Sequence, residues 1–370
     1  MKKFIYSCIL LVGFCFSGQA QKSEEAVFRS DTLGNNQKGF NLIGLPIAFV
    51  TPETSFGFGG GAQVFLLNKS NVYNSRSSNI LVSGIYTLKN QLFLDLKPQI
   101  YLNKGDYLLD MSYKFKLFPN VFWGVGNNNP DEFEEDYEMT SSELKVAFLK
   151  RLPPHLNFGF EYVLDFYDVT KTEEGGLLDG EGIVGNDKAI ASGLGVIFNL
   201  DDRDDVAAPL SGNFVQLNAR FASKSFGSTN SFNKYFTDLR TYRPLGKKSV
   251  LAIQIYYESA YGDVPFQAKS WYGGGERARG YFRGRFIENH MYVAQAEYRW
   301  RFHPRWTAAA FGLVGEVASL PENFFSEVKP GFGGGFRFKF VKTQNAWLRA
   351  DIGIGKDGNN GFYFGVNEAF

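Results

Sequence analysis

The sequence predicts an all-β fold, an antiparallel transmembrane β-barrel of about sixteen strands. Three observations carry this. Apolar and polar residues alternate with period two in segment after segment. The alternating segments run roughly 10–14 residues, enough for the 9–11 that a tilted strand needs to cross a bilayer. The composition suits strands and turns, with 41 Gly, 38 Phe and 19 Tyr among 370 residues but only 4 Met and 2 Cys. Abundant aromatics and a net charge of +1 exclude a disordered chain. With 39 basic against 38 acidic residues there is no basic surplus, so no nucleic-acid partner is expected. The longest apolar run, Phe4–Phe16, is shorter than the roughly 20 residues of a membrane-spanning helix.

That run reads as an address. Lys2-Lys3 supplies a basic start, Phe4–Phe16 the apolar centre, and Gly18 and Ala20 the small residues of a cleavage site after Ala20. Residues 1–20 are therefore expected to be a secretory signal peptide rather than a core strand. A lipoprotein anchor at Cys15 would want a small residue where Phe14 stands. Both cysteines, Cys8 and Cys15, fall in this leader, so the processed chain enters an oxidising compartment without disulfides. Residues 21–38 are polar and far below the roughly 50 residues of a folded domain. They are expected to be a short periplasmic lead into a barrel spanning 39–370.

Strands are expected near 39–50, 54–67, 77–87, 91–103, 105–118, 135–151, 155–168, 187–200, 212–223, 231–243, 248–261, 288–302, 306–317, 331–341, 345–355 and 361–369. In the fourth, Leu92, Leu94, Leu96, Ile100 and Leu102 oppose Gln91, Asp95, Lys97 and Gln99. In the twelfth, Tyr292, Ala294, Ala296, Tyr298, Trp300 and Phe302 oppose Gln295, Glu297, Arg299 and Arg301. The fourteenth sets Phe332, Phe336, Phe338 and Phe340 against Arg337 and Lys339, and the fifteenth Leu348, Ile352 and Ile354 against Arg349 and Asp351. Charges gather on one face, as expected for apolar side chains to lipid and polar ones to a lumen. The sheet must close, because lipid cannot satisfy an open edge. With both termini periplasmic, the long connections 119–134, 169–186, 262–287 and 318–330 lie outside the cell. Asn103–Asp106, Leu152–His155 and Lys342–Asn345 are short periplasmic turns.

Three local patterns add to this frame. Within 262–287 stands Gly273-Gly274-Gly275-Glu276-Arg277-Ala278-Arg279-Gly280-Tyr281. Between the eighth and ninth strands stand Asp201-Asp202-Arg203-Asp204-Asp205, Pro209 and Gly212. The last strand contains Phe362 and Phe364, and the chain ends in Glu368-Ala369-Phe370. Together they resemble the BamA/TamA group of outer-membrane assembly barrels, the bacterial surface antigen superfamily. The first resembles its Arg-Gly-Tyr/Phe loop motif, the second its periplasmic turn, the third its C-terminal insertion signal at Phe362, Phe364 and Phe370. The resemblance implies a role in outer-membrane protein assembly, insertion or translocation. It implies outer-membrane lipid and lipopolysaccharide as surroundings, and client proteins or periplasmic and lipoprotein partners. Such proteins usually carry periplasmic POTRA domains, for which residues 21–38 leave no room. They also place a lumen Asp where this chain has Leu313; Glu297 and Asp351, on lumen faces, are the candidate substitutes.

Arginine keeps its charge and can bond a carboxylate through two N–H groups, so the loop carrying Arg277, Arg279, Arg283 and Arg285 is expected to tuck into the lumen with Arg279 on Glu297 or Asp351. Its alternative is an exposed loop on lipopolysaccharide phosphates. Gly353, Gly355, Gly358, Gly361 and Gly365 suggest either a weak seam between the first and last strands or simple relief of curvature. By the resemblance, that seam would open and template an incoming strand. A passive solute channel and a structural or surface-adhesive barrel are the competing functions.

Other chemistry is not signalled. His155, His290 and His303 have no metal-ligand spacing. No nucleophile elbow or phosphate loop occurs, and no Ser/His/Asp set stands out. The acidic stretches Asn127–Asp136 and Asp201–Asp205 read as a solvated loop and a hydrogen-bonded turn rather than cation sites. No enzyme activity, cofactor or metal is expected.

Overall fold

A computed structural model of the chain describes residues 40–66, 78–180, 182–340 and 347–370. The expected signal peptide 1–20, with Cys8 and Cys15, the segment 21–38 and the turn Lys342–Asn345 lie outside the described residues.

Sixteen strands close one antiparallel barrel. The first eleven are β1 (Phe40–Thr51), β2 (Ser55–Leu66), β3 (Ser78–Thr87), β4 (Leu92–Leu102), β5 (Tyr107–Phe122), β6 (Glu135–Leu152), β7 (Leu156–Lys171), β8 (Lys188–Asp201), β9 (Gly212–Ala222), β10 (Phe232–Pro244) and β11 (Ser249–Gly262). Within the next connection, β12 (Ser270–Tyr272) and β13 (Phe286–Glu288) form a separate two-stranded hairpin. The barrel resumes with β14 (His290–His303), β15 (Trp306–Ala318), β16 (Lys329–Lys339), β17 (Trp347–Gly355) and β18 (Asn360–Val366), and β18 returns to β1. The expected fold class and strand number are therefore observed.

The burial pattern is that of a soluble protein turned inside out. Arg337, Glu297 and Asp351 are fully buried, whereas Phe332, Phe336 and Ile352 on the same strands or a neighbour are 60%, 57% and 58% exposed. Water would expel those side chains, so the outer wall is built for acyl chains.

Strand heights are uneven. β6 has 18 residues and β5 and β7 have 16 each, while β17 has 9 and β18 only 7. The last strand stops at Val366 instead of running to 369. Asn367 takes a left-handed conformation (φ 65°), which turns the remaining residues inward. Glu368 there meets Arg337 at 2.8 Å, and Ala369 and Phe370 pack against Tyr242, Val250 and Ala252. Phe370 thus sits inside the barrel, 5% exposed, while Phe362 is 48% exposed on the outer wall with Phe364 on the same face.

This inward turn shapes the seam. The register sets Val50 opposite Phe364. Carried along the strands, it puts Val366 opposite Ala48, so residues 40–47 of β1 extend past the end of β18. Among the described residues no strand lies along their edge on that side, whereas their other edge pairs with β2 throughout.

Candidate functional site

The connection between β11 and β14 folds into the lumen, where Ala278, Arg279 and Tyr281 are buried against the wall. The β12–β13 hairpin forms its neck, and Tyr272, Tyr281 and Phe286 pack there with Met291, Val293 and Leu313 of the wall. Tyr272 donates from its hydroxyl to the Lys329 carbonyl at 3.0 Å. At the tip the backbone reverses, with the Gly274 N–H bonded to the Tyr281 carbonyl at 3.0 Å. Gly275 lies against the Tyr363 ring. Gly280 has a φ of +107°, a conformation that glycine adopts without penalty.

The loop's cation enters a sealed ionic cluster. Arg279 Nη1 is 2.6 Å from an Asp351 oxygen and 2.7 Å from a Glu297 oxygen, and all three residues are fully buried. The guanidinium lies over the Phe311 ring, 3.5 Å from its centroid, which covers one face with π-density. Leu313, where the resembled family has an acid, joins the aromatic cluster instead. The acids come from β14 and β17, the two lumen-face candidates the sequence offers.

Three residues that were not singled out in the sequence complete the cluster. Arg337 bonds both Asp351 and Glu297. Arg299 donates to Glu297 at 2.7 Å and to the Phe370 carbonyl at 3.0 Å. Glu368 accepts from Arg337. The lumen-face parity of Arg299 and Arg337 was visible, while Glu368 has the outward parity of Phe362 and reaches the lumen only through the turn at Asn367. Burying so many charges is costly unless each is paired and hydrogen-bonded. Here they alternate in sign around shared oxygens, while Arg279 Nε and Nη2 are buried without a hydrogen-bond partner among the described residues.

The turn between β8 and β9 reaches the same cluster. Asp204 Oδ1 accepts from the backbone N–H of Asp205, Leu210 and Ser211 at 3.0, 2.9 and 3.1 Å. Asp201 holds Arg203 in a two-point bond, at 2.8 and 2.7 Å. Burial works against the Arg203 charge, but Asp201 more than offsets it and keeps the guanidinium above its ordinary pKa. Gly212 has a φ of +104°, and Pro209 is buried. The Pro209 carbonyl accepts from Arg299 at 3.4 Å, and the Ala207 carbonyl from the Glu368 N–H at 3.2 Å. The structure therefore brings the loop, the β8–β9 turn and the C-terminal tail together on Glu297, Arg299, Arg337 and Glu368.

The loop also touches both sides of the seam. The Gly280 N–H donates to Tyr363 Oη of β18 at 3.0 Å. The Arg283 N–H donates to Glu53, in the turn after β1, at 2.7 Å. Beyond Tyr281, whose hydroxyl donates to the Pro330 carbonyl at 2.6 Å and whose phenol burial pushes to a higher pKa, the loop meets the connection 123–134 through Arg285 and Asp131, 2.6 Å apart.

A family model described as the Omp85 superfamily domain matches residues 88–370. The chain belongs to the Omp85 superfamily. Its fold is similar to that of BamA from Haemophilus ducreyi lacking POTRA domains 1–3, with a TM-score of 0.63 and 12% identity over 89% of this chain and 70% of that one. It is similar to CdiB from Acinetobacter baumannii (TM-score 0.57, 14% identity, 90% and 60% covered) and from Escherichia coli (0.60, 10%, 90% and 63%). The chain spans less than two thirds of either CdiB protein's length. No curated protein matches the sequence. Omp85 barrels are outer-membrane assembly and transport proteins, and this one has the connection between β11 and β14 folded inside it.

Proposed function

We propose that this Omp85 barrel resides in the outer membrane, reached through the leader at 1–20, and inserts client β-barrel proteins there. The carrying observation is the seam. Among the described residues, β1 leaves the backbone of residues 40–47 unpaired on its β18 side, where β18 ends at Val366. An extended client strand can add to such an edge through main-chain hydrogen bonds without any fixed sequence. The loop spans the outer end of the seam, from Tyr363 to Glu53, so an arriving client strand would add at the other end. Outer-membrane lipid, lipopolysaccharide and periplasmic or lipoprotein helpers are the partners this role calls for. A passive solute channel needs the lumen that the loop occupies, so the folded-in loop favours insertion.

Depletion of the protein followed by quantification of other outer-membrane barrels tests the reading. We expect client barrels to fall. Unchanged levels would reject it, and would be the result for a channel or an adhesive barrel. A Val50→Cys/Phe364→Cys pair should then lock the seam under oxidation and block rescue, with reduction restoring it.

A further inference from the structure

We propose that the connection 319–328 between β15 and β16 is a membrane anchor, which folds over the outer rim of the wall and sets Phe324 and Phe325 into the headgroup–acyl boundary of the outer leaflet. The inference rests on the reading that the barrel spans that membrane.

Glu316 lies near the end of β15. Its register partner is Tyr292, and the lumen-facing residues on either side are Gly315 and Val317, so Glu316 belongs to the outward face. A carboxylate there would meet lipid, yet it is fully buried. The connection folds outward to cover it and supplies donors: the N–H groups of Phe325 and Glu327 at 2.6 and 2.7 Å, and the Ser326 hydroxyl at 3.0 Å. Asn127 adds a fourth at 2.9 Å. A buried anion satisfied this way fixes the backbone around it.

That fixation has one conspicuous product. Phe325 takes a φ of 71°, which is strained for a bulky side chain, and remains 77% exposed. Phe324 packs on Tyr292 with ring centroids 5.1 Å apart and on Tyr257 at 6.3 Å, and Phe325 on Tyr292 at 5.4 Å. Tyr292 and Tyr257 stand on the outer wall, so the two phenylalanines lie on its lipid side, continuous with it. Their height fits an interface. Tyr292 and Trp300 share the outward face of β14, and eight residues of tilted strand separate them by about 21 Å, close to the ~25 Å apolar band with aromatic margins that outer-membrane barrels show. Phe325 therefore stands at the outer margin, where an aromatic side chain is favoured.

The test uses the full chain with Cys8→Ser and Cys15→Ser, carrying one cysteine labelled with an environment-sensitive fluorophore at Phe325→Cys, Phe336→Cys or Val206→Cys. The proteins are reconstituted in phospholipid–lipopolysaccharide vesicles and challenged with aqueous iodide and with lipids bearing a shallow nitroxide. We expect the label at 325 to be at least threefold less accessible to iodide than that at 206, and quenched by the shallow nitroxide. Adding Glu316→Gln should raise iodide access at 325 at least twofold. An iodide-accessible 325 beside a lipid-quenched 336 overturns the anchor alone, while water access at both overturns the membrane-spanning reading. Protection at 325 in native membrane fragments but not in protein-free vesicles would assign the patch to a protein partner and overturn the proposal. No change with Glu316→Gln would overturn the part assigned to Glu316.

Discussion

Gly353 of β17 faces Gly280 at the tip of the folded-in loop so closely that a Cβ on Gly353 would lie 2.6 Å from the Gly280 nitrogen. The contact is backbone on backbone, so no side-chain rotation can relieve it. It gives Gly353 a role other than a weak seam or relief of curvature: the wall is left smooth where the loop lies. Gly355 does the same under the Tyr281 ring.

Gly353→Val should expel the loop tip. We expect trypsin to cut after Arg277 and Arg279 in intact reconstituted barrels, where the wild type is protected, and single-channel conductance to rise. Equal protection in both would contradict a contact that leaves no room.

Arg279→Ala removes one cation from the sealed cluster. Breaking a buried ion pair costs about 3–5 kcal/mol. The lower end is expected, because Arg337 and Arg299 still serve Asp351 and Glu297. Urea unfolding in detergent would measure it, and a cycle with Asp351→Asn should show coupling above about 0.5 kcal/mol if the pair interacts directly.

Glu368→Ala should loosen the tail. Glu368 holds Arg337 at 2.8 Å and Arg299 at 3.5 Å, and its loss leaves those charges less compensated. Amide hydrogen exchange over 360–366 should accelerate at least tenfold while β5–β7 stay protected. Uniform acceleration around the barrel would instead indicate general destabilisation.

Asp204→Ala takes one acceptor from three backbone donors in the periplasmic turn. Unsatisfied buried donors cost about 1–3 kcal/mol. Half-exposed donors can turn to water, so a loss of about 1 kcal/mol is expected in the same unfolding assay, with Asp204→Asn recovering part of it.

The barrel was legible because its signal is local and repeated. Tyr292 to Phe302 and Phe332 to Phe340 each alternate over a full span, and lipid enforces that alternation on every strand. The acids that meet Arg279 were also legible, since Glu297 and Asp351 have lumen parity. What the sequence hid depends on partners remote along the chain. The inward turn at Asn367 follows from Arg337 and Arg299, 31 and 71 residues away from their tail partners Glu368 and Phe370. The β12–β13 hairpin has three residues on each side, too few for alternation to register. Glu316 had the wrong parity for the lumen, and only the folded connection over it explains why a carboxylate stands there.

The unequal strand lengths carry a consequence for the surrounding lipid. Seven residues at about 3.3 Å each, inclined by about 40°, give β18 a vertical reach of about 18 Å, against the ~25 Å that hydrocarbon ordinarily fills. Acyl tails beside it must compress or splay to avoid exposing methylenes to water. On the far side, 18-residue β6 imposes no such distortion. A bilayer around this barrel is therefore expected to be thinnest at one point of the circumference, beside β18.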